Sequence, residues 1–258
     1  MVNGNHKAEI AAAEMILRSR KLVVFTGAGI STESGIPDFR GRDGIWTKFD
    51  PDDFTIQKFL ESEEARRKQW KLLLDGGLLS NIKPNKAHLA IAELEDMGKL
   101  DCIITQNIDN LHQKAGNSAD RIFELHGNMQ WARCLDCDRR YPMEYIREKL
   151  QNGVNIPECE TCHGILKPDV VFFGEMLPSE VLDAATEHAM HCDLFMVVGS
   201  SLVVYPAALM PEYARETGAR LIIINIGETP YDSRADICIE GKAGDILSGI
   251  MEKVREKL

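Results

Sequence analysis

Six short apolar runs, Leu22–Thr26, Cys102–Thr105, Ile122–Leu125, Leu194–Val198, Leu221–Ile224 and Ile237–Ile239, recur along the chain with longer segments between them. Runs this short and rich in Val, Ile and Leu suit strands buried on both faces, which means a parallel sheet covered by helices. The intervening segments supply those helices: helical spacing of apolar residues marks Lys7–Arg20, Lys86–Met97, Glu180–Met190, Ala207–Thr217 and Asp245–Lys257, with Pro211 expected to interrupt the fourth. The pattern is α/β. Two stretches break the alternation. Residues 41–83 read as helix and loop without a clear strand, and residues 128–167 show little apolar periodicity. Both are expected to be insertions that build a smaller domain beside a large one made of residues 1–40, 84–127 and 168–258. The 258 residues, 44% of them hydrophobic, suffice for one sizeable core plus such an appendage in a single unit.

Charge and targeting narrow the class further. The net charge of −10 opposes binding to nucleic acid and mildly favours cationic partners. No apolar run reaches the roughly 18 residues of a membrane helix, and Met1–Ile10 lacks the basic flank and apolar stretch of a signal peptide. A cytoplasmic protein without a membrane partner is expected, or a nuclear one if the cell has a nucleus.

Four of the seven cysteines, Cys134, Cys137, Cys159 and Cys162, form two C-x2-C pairs separated by 21 residues. Without a secretory signal this spacing points to one tetrahedral zinc held by four thiolates, with no position left for a water and hence a structural metal. Disulfides, inert core thiols or His163 in place of one sulfur are the alternatives. Cys102, Cys192 and Cys238 lie in or beside apolar segments and read as small core residues.

Candidate ligand-binding residues cluster after the apolar runs, where the carboxyl ends of parallel strands collect ligands. Leu22–Thr26 runs into Gly27-Ala28-Gly29-Ile30-Ser31, whose glycines would let backbone N–H groups approach a phosphate; a tight turn without a ligand is the alternative. Thr32 replaces the third glycine of the dehydrogenase fingerprint, and Gly35 and Pro37 interrupt any helix that begins there, which disfavours a hydride-transfer enzyme. Gly35-Ile36-Pro37-Asp38-Phe39-Arg40-Gly41 reads as a mobile lid over a charged cofactor, or as a solvated turn. Gln106, Asn107 and Asp109 follow another strand and suit either a site or a helix cap. His126 ends a third strand; a lone histidine is more often structural or solvated than catalytic. Gly199-Ser200-Ser201 and Asn225 also stand at strand ends.

Seven segments in register resemble the sirtuin family: Thr26–Ser31 with Gly35–Gly41, Thr105-Gln106-Asn107-Ile108-Asp109-Asn110-Leu111-His112, His126-Gly127, both cysteine pairs, Val170–Glu175, Gly199-Ser200-Ser201-Leu202 and Ile224-Asn225. The resemblance covers roughly residues 20 to 250. It implies a parallel Rossmann-like sheet domain with a smaller inserted domain made of a helical segment and a zinc-binding module. It also implies an NAD-dependent protein-lysine deacylase, a transferase that yields free lysine, nicotinamide and 2′-O-acyl-ADP-ribose.

Residue by residue, the resemblance assigns NAD contacts to Gly27, Ala28, Gly29, Ser31, Asp38, Phe39, Arg40, Gln106, Asn107, Ile108, Asp109, Gly199, Ser200, Ser201, Asn225 and Ala243. Gln106 and Asn107 would meet the ribose and an ordered water, Asp109 the nicotinamide carboxamide, and His126 would be general base; Asn107, Asp109 and His126 form the catalytic set. Ala243, with Lys242 and Asp245, resembles the adenine-side loop, and Glu228 competes for a ribose hydroxyl. Val171, Phe172, Gly174 and Glu175 would lie along an acyl-lysine peptide added as a strand, a buried strand being the alternative. A protein ADP-ribosyltransferase and a non-catalytic zinc-containing peptide or nucleotide reader are the rival functions. Residues 54–83 contain no tyrosine, and Arg66 and Arg67 sit in a charged run, so an acetyl group is expected to be preferred to a succinyl group unless Arg66, Arg67 or Arg42 reaches the acyl pocket.

Overall fold

The computed structural model describes residues 2–41, 44–74 and 82–257; Arg42 therefore lies outside the described residues, as do residues 75–81 of the helical segment. The strands are β1 (Leu22–Thr26), β2 (Leu100–Thr105), β3 (Ile122–Glu124), β4 (Gly127–Cys134), β5 (Arg140–Pro142), β6 (Leu166–Val170), β7 (Leu194–Val198), β8 (Arg220–Asn225) and β9 (Ile237–Glu240). The helices are α1 (Val2–Arg18), α2 (Ile56–Glu61), α3 (Glu63–Leu74), α4 (Lys86–Asp96), α5 (Leu111–Ala115), α6 (Met143–Gln151), α7 (Ser179–His191), α8 (Met210–Glu216) and α9 (Ala243–Arg255). None is long and apolar enough to cross a membrane.

The main sheet runs β3-β2-β1-β7-β8-β9, every pair parallel. This is the Rossmann-like order, and the chain reverses direction across the sheet between β1 and β7, where a crevice opens at the strands' carboxyl ends. Alternation along β1 fills a layer on each face. Leu22 and Val24 join Ile16, Ile91, Leu94, Met196 and Leu247 under α1, α4 and α9, while Val23 and Phe25 join Ile104, Phe195 and Ala185 under α7 and α8. Each such side chain, fully buried, contributes about 1.5–3 kcal/mol, so the sheet holds the carboxyl edge rigid.

Several details differ from expectation. Pro211 does not interrupt a helix: a 3-10 turn over Ala207–Leu209 precedes α8, and Pro211 sits in the first turn of α8, where its missing N–H needs no partner. Cys102 and Cys192 are buried as expected, but Cys238 is exposed, because β9 is an edge strand and only Ile237 and Ile239 turn toward the core. Residues 128–167 contain a regular amphipathic helix, α6, which buries Met143, Ile146 and Leu150.

The second sheet is antiparallel, in the order β5-β4-β6. Trp70 of α3 packs with Ala132, Tyr141, Ile146, Leu150 and Leu166, so the helical stretch and the cysteine stretch share one small core. Strands β4 and β6 join it to the large sheet, starting from the Gly127–Val170 pair beside the carboxyl edge.

Candidate active site

The loops after β1 and β7 touch backbone to backbone. Gly27 N–H donates to the Val198 carbonyl at 3.2 Å and Gly29 N–H to the Gly199 carbonyl at 2.8 Å. Gly199 has φ +62°, and a Cβ there would stand 2.2 Å from the Ile30 nitrogen. A Cβ on Gly27 or Gly29 would lie 2.8 Å from the Gly199 oxygen. These glycines thus permit the close approach of two loops at the reversal point, a requirement separate from any phosphate. Ala28–Ser34 forms a short 3-10 helix that Gly35 ends in the left-handed region, as the sequence suggested.

This approach brings Ser31 over the end of β2. Ser31 Oγ donates to Asp109 Oδ2 at 2.7 Å, and Asn107 Nδ2 donates to Ser31 Oγ at 3.2 Å and to the Gly27 carbonyl at 3.1 Å. Asp109 Oδ1 accepts the Leu111 N–H at 2.9 Å, so this carboxylate also caps α5. All three side chains are buried. Burial pushes the Asp109 carboxyl up from the ordinary carboxylate range, and the Ser31 and Leu111 hydrogen bonds oppose that rise.

His126 lies between β3 and β4. Its Nδ1 stands 2.9 Å from the Gln106 carbonyl oxygen, which can only accept; Nδ1 therefore carries the ring proton and Nε2 is bare. Burial lowers the pKa of His126 below its usual value against the Gln106 bond, so the ring is neutral near pH 7. The other end of Gln106 is also held, its Oε1 accepting from Ser200 Oγ at 2.9 Å. The result is an imidazole with a bare Nε2, held by the residue that directly precedes Asn107 of the buried Ser31–Asn107–Asp109 group.

The remaining candidates lie further out. Ile108 contributes its carbonyl to Met129 N–H and its side chain to the Phe59–Val170–Phe172 cluster. Asp38 Oδ1 accepts from Gly41 N–H at 2.7 Å and so closes its own turn, while Phe39 and Arg40 are exposed. Phe39 packs on Trp46, 5.2 Å between centroids, and Trp46 packs on Phe54 and on Phe173. This aromatic hub, not expected from the sequence although residues 39–54 hold four aromatic side chains, ties the 35–41 segment to the segment after β6. Ser201 is exposed, Asn225 Nδ2 donates to the Gly227 carbonyl, Ala243 is buried at the start of α9, and the exposed Glu228, Lys242 and Asp245 make no hydrogen bond to it.

The stretch from Val170 to Glu175 is not one strand. β6 ends at Val170, and beyond it Val171 N–H donates to the His126 carbonyl and Phe173 pairs only with Phe54 and Ile56. Val170 and Phe172 are buried, Val171 is half-buried and Phe173 is exposed; Gly174, at φ +87°, turns the chain. The ladder breaks because Glu175 Oε2 reaches back to Phe172 N–H at 2.7 Å and to the buried Lys167 ammonium at 2.9 Å.

At the far end of the small sheet the Sγ atoms of Cys134, Cys137, Cys159 and Cys162 all lie within 4.8 Å of one another. Cys134 Sγ is 3.4 Å from Cys162 Sγ and Cys137 Sγ is 3.6 Å from Cys159 Sγ. A disulfide needs about 2.05 Å; a tetrahedron of sulfurs about 2.3 Å from zinc has edges of roughly 3.8 Å. The donor set fits zinc, and His163 is not part of the group.

The profile of the Sir2 family matches residues 27–206, which hold the glycine loop, the Ser31–Asn107–Asp109 group, His126 and all four clustered cysteines. The chain belongs to the Sir2 family. An NAD-dependent protein deacylase 2 of Archaeoglobus fulgidus is 49% identical over 246 residues, 95% of each chain. An NAD-dependent protein deacetylase of Caldivirga maquilingensis is 46% identical, over 95% of this chain and 93% of that one. Among solved structures, one from work on the mechanism and regulation of Sir2 enzymes has TM-score 0.89 at 47% identity, covering 98% of this chain and 99% of that one. A Sir2–p53 peptide–NAD+ complex has TM-score 0.85 at 37% identity, with 94% and 97% covered.

Proposed function

We propose that this Sir2-family chain is an NAD-dependent protein-lysine deacylase. The observation that carries the reading is the bare Nε2 of His126, fixed by the carbonyl of Gln106, whose neighbour in the chain, Asn107, belongs to the buried Ser31–Asn107–Asp109 group. Relatives named deacylase and deacetylase, and Sir2 structures with NAD+, an acetylated peptide or a propionylated peptide, support it.

The reaction that the family resemblance implies would use these groups as follows. The acyl oxygen of the modified lysine attacks C1′ of the nicotinamide ribose while the C1′–N bond breaks, and nicotinamide leaves with the bonding pair, so that the acyl-lysine is joined to C1′ as an alkylimidate. Asp109 holds the carboxamide through its N–H, and Gln106, Asn107 and Ile108 line the ribose side. Nε2 of His126 then takes a proton from the ribose hydroxyls, the 2′-oxygen attacks the imidate carbon, and a water completes transfer of the acyl group as the lysine amine departs. Products are lysine, nicotinamide and 2′-O-acyl-ADP-ribose, so the enzyme is a transferase.

Gly27, Ala28, Gly29, Ser31, Asp38, Phe39 and Arg40 enclose the cofactor from the β1 side, and Gly199, Ser200, Ser201, Asn225 and Ala243 from the β7–β9 side. The backbone from Val171 to Glu175, which leaves the ladder after Val170, receives an acyl-lysine peptide as an added strand. Zinc in the four-cysteine cluster is structural. The separate small core around Trp70 supports a division into a large domain of residues 1–40, 84–127 and 168–258 and a small one of 41–83 and 128–167. A cytoplasmic location accords with the lack of a membrane-spanning helix among the described residues.

Nicotinamide release from NAD, measured with and without an acetyl-lysine peptide, tests the reading. Release that needs the peptide and yields acetylated ADP-ribose supports it; ADP-ribose left on protein favours an ADP-ribosyltransferase.

A further inference from the structure

Among the described residues, four buried side-chain polar atoms lack a protein partner, and three of them, His88 Nε2, His112 Nδ1 and Asn117 Oδ1, belong to one seam. The seam lies where α4 packs on α5, with the two imidazoles 5.0 Å apart and both almost wholly buried. Asn117 closes it, donating from its backbone to the His112 carbonyl at 3.1 Å and from Nδ2 to Glu95 Oε2 at 2.8 Å.

Hydrogen-bond directions place the protons. Thr26 Oγ donates to Thr105 Oγ at 2.8 Å, so toward His112 Nε2, 3.0 Å away, that hydroxyl has only a lone pair to offer. His112 then carries its proton on Nε2 and presents a bare Nδ1. His88 Nδ1 accepts the Asn85 N–H in a capping box, at 3.4 Å, which leaves the His88 proton on Nε2. Donation from His88 Nδ1 to Asn85 Oδ1 at 3.1 Å is the competing arrangement, since that oxygen can accept it together with the Ala87 N–H; the capping-box arrangement, which satisfies the Asn85 N–H, is the one the proposal takes. With both rings protonated on Nε2, the seam holds one orphaned donor and two orphaned acceptors, the complement of a single water molecule.

We propose that one buried water accepts from His88 Nε2 and donates to His112 Nδ1 and Asn117 Oδ1, and that the imidazole pair so locked positions Asn107 for catalysis. Three hydrogen bonds are what a buried water typically makes. The link onward is short: His112 holds Thr26, Thr26 holds Thr105, and Thr105 Oγ accepts the Asn107 N–H at 3.0 Å. His112 touches no substrate; it is a positioning residue. Burial brings His88 down to about 4 and His112 well below the usual imidazole value, so both rings stay neutral, each facing no charged group within the seam except Glu95, which Asn117 engages. The catalytic part of this proposal rests on the deacylase reading, because the role of Asn107 belongs to it.

Two experiments separate the proposals. In wild-type protein with 15N-labelled histidine, long-range imidazole spectra should show His88 and His112 neutral, both protonated on Nε2 and not titrating between about pH 5.5 and 8.5. A proton on Nδ1 of either ring overturns the water bridge, whatever the enzyme does. In kinetics, His112→Phe and Thr26→Val should each lower kcat for deacetylation about tenfold with KM for NAD within about twofold, while His112→Gln, which keeps an N–H at the ε position, should stay within about threefold of wild type. A glutamine variant no better than phenylalanine, or a loss confined to KM, defeats the positioning role. Wild-type protein that fails to turn over acetyl-lysine with NAD sinks the deacylase reading instead, and with it the catalytic role, leaving the spectra to decide the water bridge.

Discussion

The Nδ1 atom of His126 lies 2.9 Å from the carbonyl oxygen of Gln106, and this contact fixes which nitrogen of the ring can act as a base. A general base contributes roughly 10²–10⁴ in rate. His126→Ala should therefore lower deacylation at least about a hundredfold while the circular dichroism spectrum and melting transition stay near wild type. A folded variant with near wild-type turnover would remove His126 from the mechanism. Because burial lowers the pKa of this histidine, the acidic limb of the kcat/KM profile belongs below pH 6.5.

Asp109 gives the second prediction. Its Oδ2 takes the Ser31 hydroxyl and its Oδ1 the Leu111 N–H. Asp109→Asn should weaken exchange of labelled nicotinamide into NAD, because the amide presents a donor where the carboxamide N–H needs an acceptor. Nicotinamide should inhibit the wild-type enzyme by reversing the first step. Unchanged exchange in the variant would show that the carboxamide is held elsewhere.

These two sites differ in how far the residues announced them. The strands of the main sheet were legible as short apolar runs, the central four buried almost throughout, and the zinc cluster because four cysteines at fixed spacing have few other uses. The catalytic role proposed for His126 came only from the family resemblance, since one histidine among seven carries no signal of its own. Helix α6 was hidden by the charged residues between Met143, Ile146 and Leu150, and the Trp46 hub by depending on Phe173, far away in the chain. The His88–His112 seam was invisible for the same reason: its partners meet only when α4 packs on α5.

Acid should destabilise the fold through its buried neutral histidines. The folded pKa of His88 is about 4 against about 6.5 unfolded, so its contribution is fully present above pH 6.5 and is lost as pH falls toward 4. The difference corresponds to about 3 kcal/mol, an order-of-magnitude figure, and His112 and His126 shift in the same direction. Urea unfolding at pH 7.5 and 5.0 should show a lower midpoint at the acidic pH, and His88→Gln should flatten the difference. An equal drop in that variant would assign the acid sensitivity to carboxylates.

Removing one zinc ligand should cost more than one bond. Cys159 is buried, and Tyr141 OH lies 3.2 Å from its sulfur, so the metal position and the Trp70 core are built on shared residues. Cys159→Ser should lose zinc, destabilise the small domain and lower activity with it. Elemental analysis of freshly purified, active wild-type protein should find one zinc per chain; active protein without zinc would contradict the structural role.

The last prediction concerns the acyl group. A succinyl chain brings a carboxylate into the acyl pocket, and burying it without a cation costs several kcal/mol. The two arginines of residues 54–83 are engaged elsewhere: Arg66 Nη1 donates to the Phe59 and Leu60 carbonyls at 2.8 and 2.9 Å, and Arg67 pairs with Glu63 at 2.9 Å. The buried cation near the Val171–Glu175 segment proposed to receive the peptide, Lys167, is held by Glu175 and the Val170 carbonyl, and taking it for a substrate carboxylate would leave Glu175 without its ammonium partner. An acetyl group meets none of these obstacles. Acetyl-lysine should accordingly be turned over with kcat/KM at least about tenfold above succinyl-lysine on the same peptide, which requires only about 1.4 kcal/mol of difference between transition states. A succinyl preference in side-by-side kinetics would mean that a cation reaches the pocket, and Arg66→Ala, Arg67→Ala and Arg42→Ala, assayed with both peptides, would identify which.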